Sequence, residues 1–177
     1  MRYRRSRVSG GTFFFTVNLA NRNYQLLTEH VGVLREVNRK VRQIHPFEIV
    51  AMVVLPDHLH AIWALPPGDR DYPLRWSLIK AGFSRAMMKS ERVSGSRECK
   101  RERGIWQRRY WEHQVRSEDD LIRHVDYIHF NPVKHGHVQS PVEWPYSSIH
   151  RYIRNGIVPF DWGMEIDADD SGFGERE

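Results

Sequence analysis

Val53-Val54-Leu55-Pro56-Asp57-His58-Leu59-His60-Ala61-Ile62-Trp63 is an apolar run that stops at a Pro-Asp pair and resumes with two histidines one residue apart. Pro-Asp is turn chemistry, and so short a link joins neighbouring antiparallel strands. The first strand of this hairpin, residues 47–55, is hydrophobic almost without a break, so it must be covered on both faces. The second, residues 58–65, alternates. Leu59, Ala61, Trp63 and Leu65 face one way; His58, His60, Ile62 and Ala64 face the other. Two imidazoles side by side on a rigid strand are half of a metal site.

Outward from the hairpin the periodicity changes. Residues 12–20 alternate, with Phe13, Phe15, Val17 and Leu19 on one face, as in a strand. Over residues 24–44 the apolar positions Leu27, Val31, Leu34, Val37, Val41 and Ile44 step by three or four, which predicts an amphipathic helix stopped by Pro46. Pro66-Pro67-Gly68-Asp69 closes the hairpin. A second helix follows over residues 74–88, with Leu78, Ile79, Phe83, Ala86 and Met87 inward. Residues 89–104 carry six bases, three acids and no period, and read as a mobile basic loop holding Cys99. Residues 105–116 alternate loosely, with Trp111, His113 and Val115 on one face, and make a fourth strand. The order strand, helix, strand, strand, helix, strand predicts an α+β, ferredoxin-like fold: a four-stranded antiparallel sheet with two helices on one face.

A third helix begins after Ser117, a good N-cap followed by Glu118, Asp119 and Asp120, where the helix dipole favours acids. It is predicted to reach about Phe130 and to stop near Asn131-Pro132, with one more turn to Gly136. On a helical wheel Leu121, Ile122, Val125 and Ile128 form the expected buried side, within roughly 120°. Asp120, His124, Tyr127 and Asn131 make a polar stripe beside them. This helix is free to cover the histidine face of the sheet. Asn131 would then offer a carbonyl oxygen as third metal ligand to His58 and His60, with the Tyr127 phenol beside the ion. So few protein ligands suit Mg²⁺ or Mn²⁺ bridging to phosphate, and imidazole shifts the preference toward Mn²⁺. A tyrosine there suggests nucleophilic attack on a phosphodiester. Asp57 and Glu112 are possible substitute ligands; His113, His124, His129, His135 and His137 are further ligand or proton-carrier candidates, with His124 nearest the site by helix geometry.

Charge points to the same partner. The formal net charge is +5, but residues 161–177 hold seven acids and one base, a net of −6, which leaves +11 on residues 1–160. A body that basic fits a polyanion, with nucleic acid the default. Arg4, Arg5, Arg7, Lys80, Arg108, Arg109 and Lys134 are the expected phosphate contacts. The 177 residues, 40% hydrophobic, suffice for one domain with a real core, here 1–160 with its basic N-terminal arm, followed by an acidic tail, 161–177. That tail is either merely solubilising or a competitor of DNA for the basic surface. One cysteine permits no intrachain disulfide, and no apolar run is long enough to span a membrane, so a cytoplasmic, nucleoid-associated location is expected.

The H-L-H of His58 to His60, joined to Y-I-H-F-N-P-V-K-H-G from Tyr127, resembles the HUH single-tyrosine transposases, and within them the REP-associated tyrosine transposases. G-G-T-F-F-F-T-V-N-L, V-V-L-P-D-H-L-H-A-I-W, I-W-Q-R-R-Y-W-E-H and W-P-Y-S-S are similar to that family too, over about residues 8–162. The resemblance implies a magnesium- or manganese-dependent endonuclease and strand transferase of single-stranded DNA. In it His58 and His60 bind the metal, and Tyr127 attacks the phosphate to leave a 5′-phosphotyrosine and a free 3′-OH. The position of Asn131 holds glutamine in many relatives, one methylene longer. Family substrates are short imperfect DNA hairpins, the repetitive extragenic palindromes. The alternative is a hairpin-binding protein without chemistry; a replication initiator is disfavoured by the lack of a helicase domain, and an RNA binder by histidines where sheet aromatics belong. A monomer and a homodimer are both compatible with the sequence, as are a site built within one chain and one exchanged between two.

Overall fold

The computed structural model describes residues 9–88, 95–99 and 103–163. Strand β1 (Thr12–Asn18) leads through two helices, α1 (Leu26–Glu29) and α2 (Val31–Ile44), to the hairpin β2 (Glu48–Val54) and β3 (His58–Ala64). Then come α3 (Tyr72–Ala86), α4 (Gly95–Cys99), β4 (Trp111–Gln114), α5 (Glu118–Lys134), a 3-10 turn (Pro141–Glu143) and α6 (Ile149–Arg154). The strands order as β2-β3-β1-β4, every neighbour antiparallel, which is the ferredoxin-like arrangement.

One face of the sheet is a dense apolar layer under α2 and α3. Phe13, Phe15, Leu59, Ala61 and Trp63 meet Leu34, Trp76, Ile79 and Phe83 there, with Trp63 and Trp76 stacked at 4.1 Å and 16°. Gly82 permits the close approach of α3 to α2: a Cβ at that position would stand 2.7 Å from Val37 Cγ1. The start of α3 is capped by Asp71, which accepts from the Leu74 N–H at 3.1 Å, and pinned by buried Arg75. Arg75 donates to the Asp69 carboxylate at 2.6 and 3.1 Å and to the carbonyls of Pro46 and His45. A buried guanidinium is tolerable because these acceptors satisfy it.

Covering the other face, α5 meets a smaller cluster of Phe14, Ala51, Val53 and Ile62 with Val125, Tyr127 and Ile128. β2 is an edge strand, and unpaired edges invite other chains. Here the segment around Ser147 seals it. Val54 N–H donates to the Tyr146 carbonyl at 2.9 Å, Ser148 N–H to Met52 at 2.8 Å, and Met52 N–H to Ser148 Oγ at 2.9 Å.

Several boundaries depart from the sequence reading. The first helix breaks at His30, and Ile44 at its end is exposed. Ala86 is exposed, and Arg75 and Trp76 take inward places on α3. The regular fourth strand is only four residues long. Ile105 and Trp106 ahead of it are buried, Trp106 bridged to Leu19 just past β1, while residues 95–99 of the basic loop form a helix. The last helix begins at Ile149, after Trp144-Pro145-Tyr146-Ser147-Ser148 has paired along β2. Helix α5 does not stop before Pro132 but carries it to Lys134. Proline removes one donor, and the turn beyond is still held by His135 N–H to Asn131 O at 3.0 Å and His137 N–H to Pro132 O at 3.0 Å. Gly136, at φ +69°, then ends it. The basic arm with Arg4, Arg5 and Arg7, most of the loop 89–104 and the tail beyond Gly163 lie outside the described residues.

His129 ties α5 to the edge-sealing segment: its Nε2 meets Ser148 Oγ at 2.9 Å and its ring packs on Tyr152 at 4.7 Å. Burial, with help from the charges of Arg151 and His150, lowers its pKa from 6.5 to about 4. A histidine depressed on folding is protonated more readily in the unfolded chain, so its contribution is present above about pH 6.5 and lost as pH falls toward 4. Thermal stability should therefore drop across that window, and a His129→Gln variant should show a shallower drop in melting temperature between pH 7 and 4.

Candidate active site on the histidine face of the sheet

His58 and His60 sit on central strand β3 with their rings 5.0 Å apart, both buried. Each has its Nδ1 engaged from the side. Thr16 Oγ1, across the pair on β1, lies 2.9 Å from His60 Nδ1. Asp57 Oδ1 lies 2.7 Å from His58 Nδ1, and Arg22 donates its Nε–H to Asp57 Oδ2 at 2.5 Å. Burial works to raise the Asp57 pKa, but the hydrogen bonds from His58 and Arg22 outweigh it and hold the carboxyl well below its usual range. A carboxylate or hydroxyl on Nδ1 fixes the ring and leaves Nε2 as the ligating nitrogen, the usual outer-shell pattern of a metal-binding histidine. Burial first, then the charges of His58, His135, Lys134 and Arg22, keep His60 well below its ordinary pKa. That direction favours the neutral imidazole, the form that can ligate.

The polar stripe of α5 faces this pair. Tyr127 is buried with its ring 5.1 Å from that of His60, edge-on at 76°, and one turn past Asn131 the His135 ring stands 4.9 Å from His58. Asn131 lies between those two contacts on the helix, so its side chain belongs opposite the gap between the imidazoles. It is fully buried, and neither its amide oxygen nor its nitrogen has a hydrogen-bond partner among the described residues. An orphaned buried amide is costly, and a cation on its oxygen would remove much of that cost. The residues present thus fit a divalent ion held by His58, His60 and Asn131. Tyr127 and both histidines belong to one chain.

The stripe turns inward at the expense of Ile122, which was expected inside and is half exposed, while His124 is buried. Of the expected phosphate contacts, Lys134 is at the site, its Nζ 5.1 Å from the centre of the Tyr127 ring. Lys80 is not: it lies on α3, across the sheet, donating to Gln107 O at 2.9 Å over the Tyr110 ring. Arg108 and Arg109 are exposed just before β4, Arg108 donating to the Ser96 carbonyl and hydroxyl at 3.2 and 3.0 Å. Glu112 is turned toward Tyr72, accepting its hydroxyl at 2.7 Å, on the face away from His60. The sequence reading missed Thr16 and Arg22, whose roles depend on β1 and its following loop folding back beside β3. Only the turn residue Asp57 carried a signal.

His113, Asp120 and His124 also gather, one possible ligand atom from each within 4.8 Å of the others. Their geometry suits a clamp better than an ion. The imidazoles stack at 4.7 Å and 14°, so their lone pairs run side by side, and His124 Nδ1 donates to the Asp120 carbonyl at 2.7 Å. Asp120 meets His113 Nε2 at 2.9 Å, tying β4 to the first turn of α5. Burial works to raise the Asp120 pKa, but this bond and the Arg116 N–H leave it lowered.

No family model matches the chain. It is 47% identical over 174 residues to the REP-associated tyrosine transposase of Escherichia coli K12, covering 98% of this chain and 96% of the relative. It is 43% identical over 166 residues to a putative REP-associated tyrosine transposase of Haemophilus influenzae, covering 93% and 94%. A solved REP-associated tyrosine transposase bound to a REP hairpin superposes with a TM-score of 0.84 at 45% identity, covering all of this chain and 98% of that one.

Replacing Asn131 by leucine, its apolar near-isostere, should stabilise the metal-free fold by about 1–2 kcal/mol, because an unsatisfied buried amide costs that order. Chemical denaturation with and without Mn²⁺ checks it: the wild-type chain should gain stability from the ion and the variant should not.

Proposed function

The chain belongs to the REP-associated tyrosine transposases, and from that membership we propose that it nicks and rejoins single-stranded DNA at REP-type hairpins through a covalent bond to Tyr127. The observation that supports this reading is the pairing of a buried phenol with a buried imidazole 5.1 Å away, under a lysine ammonium. The phenol oxygen attacks the scissile phosphorus as the bond to the 3′ oxygen breaks. That oxygen leaves as a free 3′-OH, taking up in net the proton that the phenol loses, and the phosphate stays on Tyr127 as a 5′-phosphotyrosine. Attack by a 3′-OH reverses the step, so rejoining needs no nucleotide triphosphate.

A free phenol has a pKa near 10, so nucleophilicity must be supplied by its surroundings. Lys134 stands where it favours negative charge on the phenol and on the phosphate. His58, His60 and Asn131 are the residues to hold a divalent cation, Mg²⁺ or Mn²⁺, which when bound would draw charge from the phosphate oxygens. Thr16 and Asp57 keep the imidazoles aimed, and Arg22 holds Asp57 in place. Burial excludes competing water.

The test is a denaturing gel after incubation with a labelled hairpin carrying a single-stranded flank and Mn²⁺. The wild-type chain should give a covalent adduct, and Tyr127→Phe none, with an unchanged circular dichroism spectrum. An adduct in that variant refutes the assignment, and hairpin binding by the wild type without any adduct favours a binding protein. Asp57→Asn should weaken Mn²⁺ binding roughly 10- to 100-fold in a thermal-shift titration, the usual effect of removing an outer-shell partner.

A further inference from the structure

The strand β4 puts an aromatic ring at the rim of this site. In the sheet register Val53, His60, Thr16 and Trp111 lie in one row across four strands, so Trp111 is on the histidine face, two strands from His60. It is 46% exposed. Its ring is nonetheless held: parallel to His113 at 5.9 Å and 6°, and edge-on to Phe14 at 5.5 Å and 71°. His113 is in turn stacked on His124 and clamped by Asp120. Phe14 is the shared wall, since its ring also touches Tyr127 at 5.8 Å and His60 at 5.6 Å. Two ring-to-ring steps therefore separate the open indole from the phenol.

A large aromatic fixed by neighbours on a strand yet open to solvent suits a flat apolar partner, which can stack at little entropic cost. The surrounding charge says what carries that partner. Arg108 and Arg109 before β4 and Arg116 after it are all exposed, which matches a strand of phosphates with unpaired bases better than a peptide or a neutral ligand.

We infer that Trp111 is a stacking platform for an unpaired base of the DNA strand whose phosphate meets Tyr127. It reads the single-stranded flank and sets the register of that strand, and the chemistry itself is left to α5 and β3. The inference rests on the proposed DNA reaction for its substrate, but its test does not depend on cleavage.

Binding is measured in the Tyr127→Phe background by fluorescence anisotropy, with a labelled hairpin carrying a single-stranded flank and with the same hairpin lacking it. Trp111→Ala should weaken binding of the flanked hairpin roughly 5- to 100-fold, the span for loss of one base–aromatic stack. Trp111→Phe should retain most of the affinity, and the flankless hairpin should bind all three alike. A second series keeps Trp111 and walks an abasic nucleotide along the flank: one position should reproduce the loss and show no further loss with Trp111→Ala. Unchanged affinity of Trp111→Ala for the flanked hairpin overturns the inference, as does an equal loss on the flankless one or an abasic walk with no sensitive position. Should the wild type form no covalent adduct while this pattern holds, the proposed chemistry fails and the platform stands; an adduct with unchanged binding fails the platform alone.

Discussion

The constraint on which this molecule depends is that a central strand must be covered on both sides, and one of its sides carries imidazoles. The α2 and α3 layer is ordinary apolar packing. The α5 layer must bury polar groups, and buried polar groups are tolerated only when something satisfies them. Thr16 and Asp57 do so for one nitrogen of each histidine, and Arg22 for the carboxylate. The Asn131 side-chain amide receives nothing from the described residues. Such a residue persists where a ligand, not the fold, is its partner, and polar satisfaction conceded at one position is the expected mark of a functional site.

Much of the architecture was legible because the signals were strong and local. Alternation in residues 12–20 and 58–65, the Pro56-Asp57 turn and the Ser117 cap each specify one element, and their order specifies the topology. Helix α5 was misjudged for a physical reason. Ranking its faces by apolarity places Ile122 inside, but the sheet beneath supplies ring faces and imidazoles, so His124 and Tyr127 have the better partners and turn in. Pro132 misled in the same direction: tertiary contacts around Pro132, buried with its neighbours, outweigh the single donor it lacks.

Basic residues were the least legible, because a cation's role is fixed by distant neighbours. Lys80 looks in the sequence like a phosphate-binding side chain, yet it donates to the Gln107 carbonyl on the α3 side of the sheet. Lys134 differs only in falling on the last turn of the helix that holds Tyr127, which carries it over the phenol. Side-chain type gave the same expectation for both, and only the layer each occupies separates them.

That the phenol and the imidazoles come from one chain has a bearing on how this protein would behave when scarce. A reaction centre completed by exchange between two copies loses activity with the square of concentration once the copies fall apart. A centre complete in each copy loses it only in proportion. For the chemistry proposed, a phenol and an imidazole that meet within one chain need no second copy to bring them together.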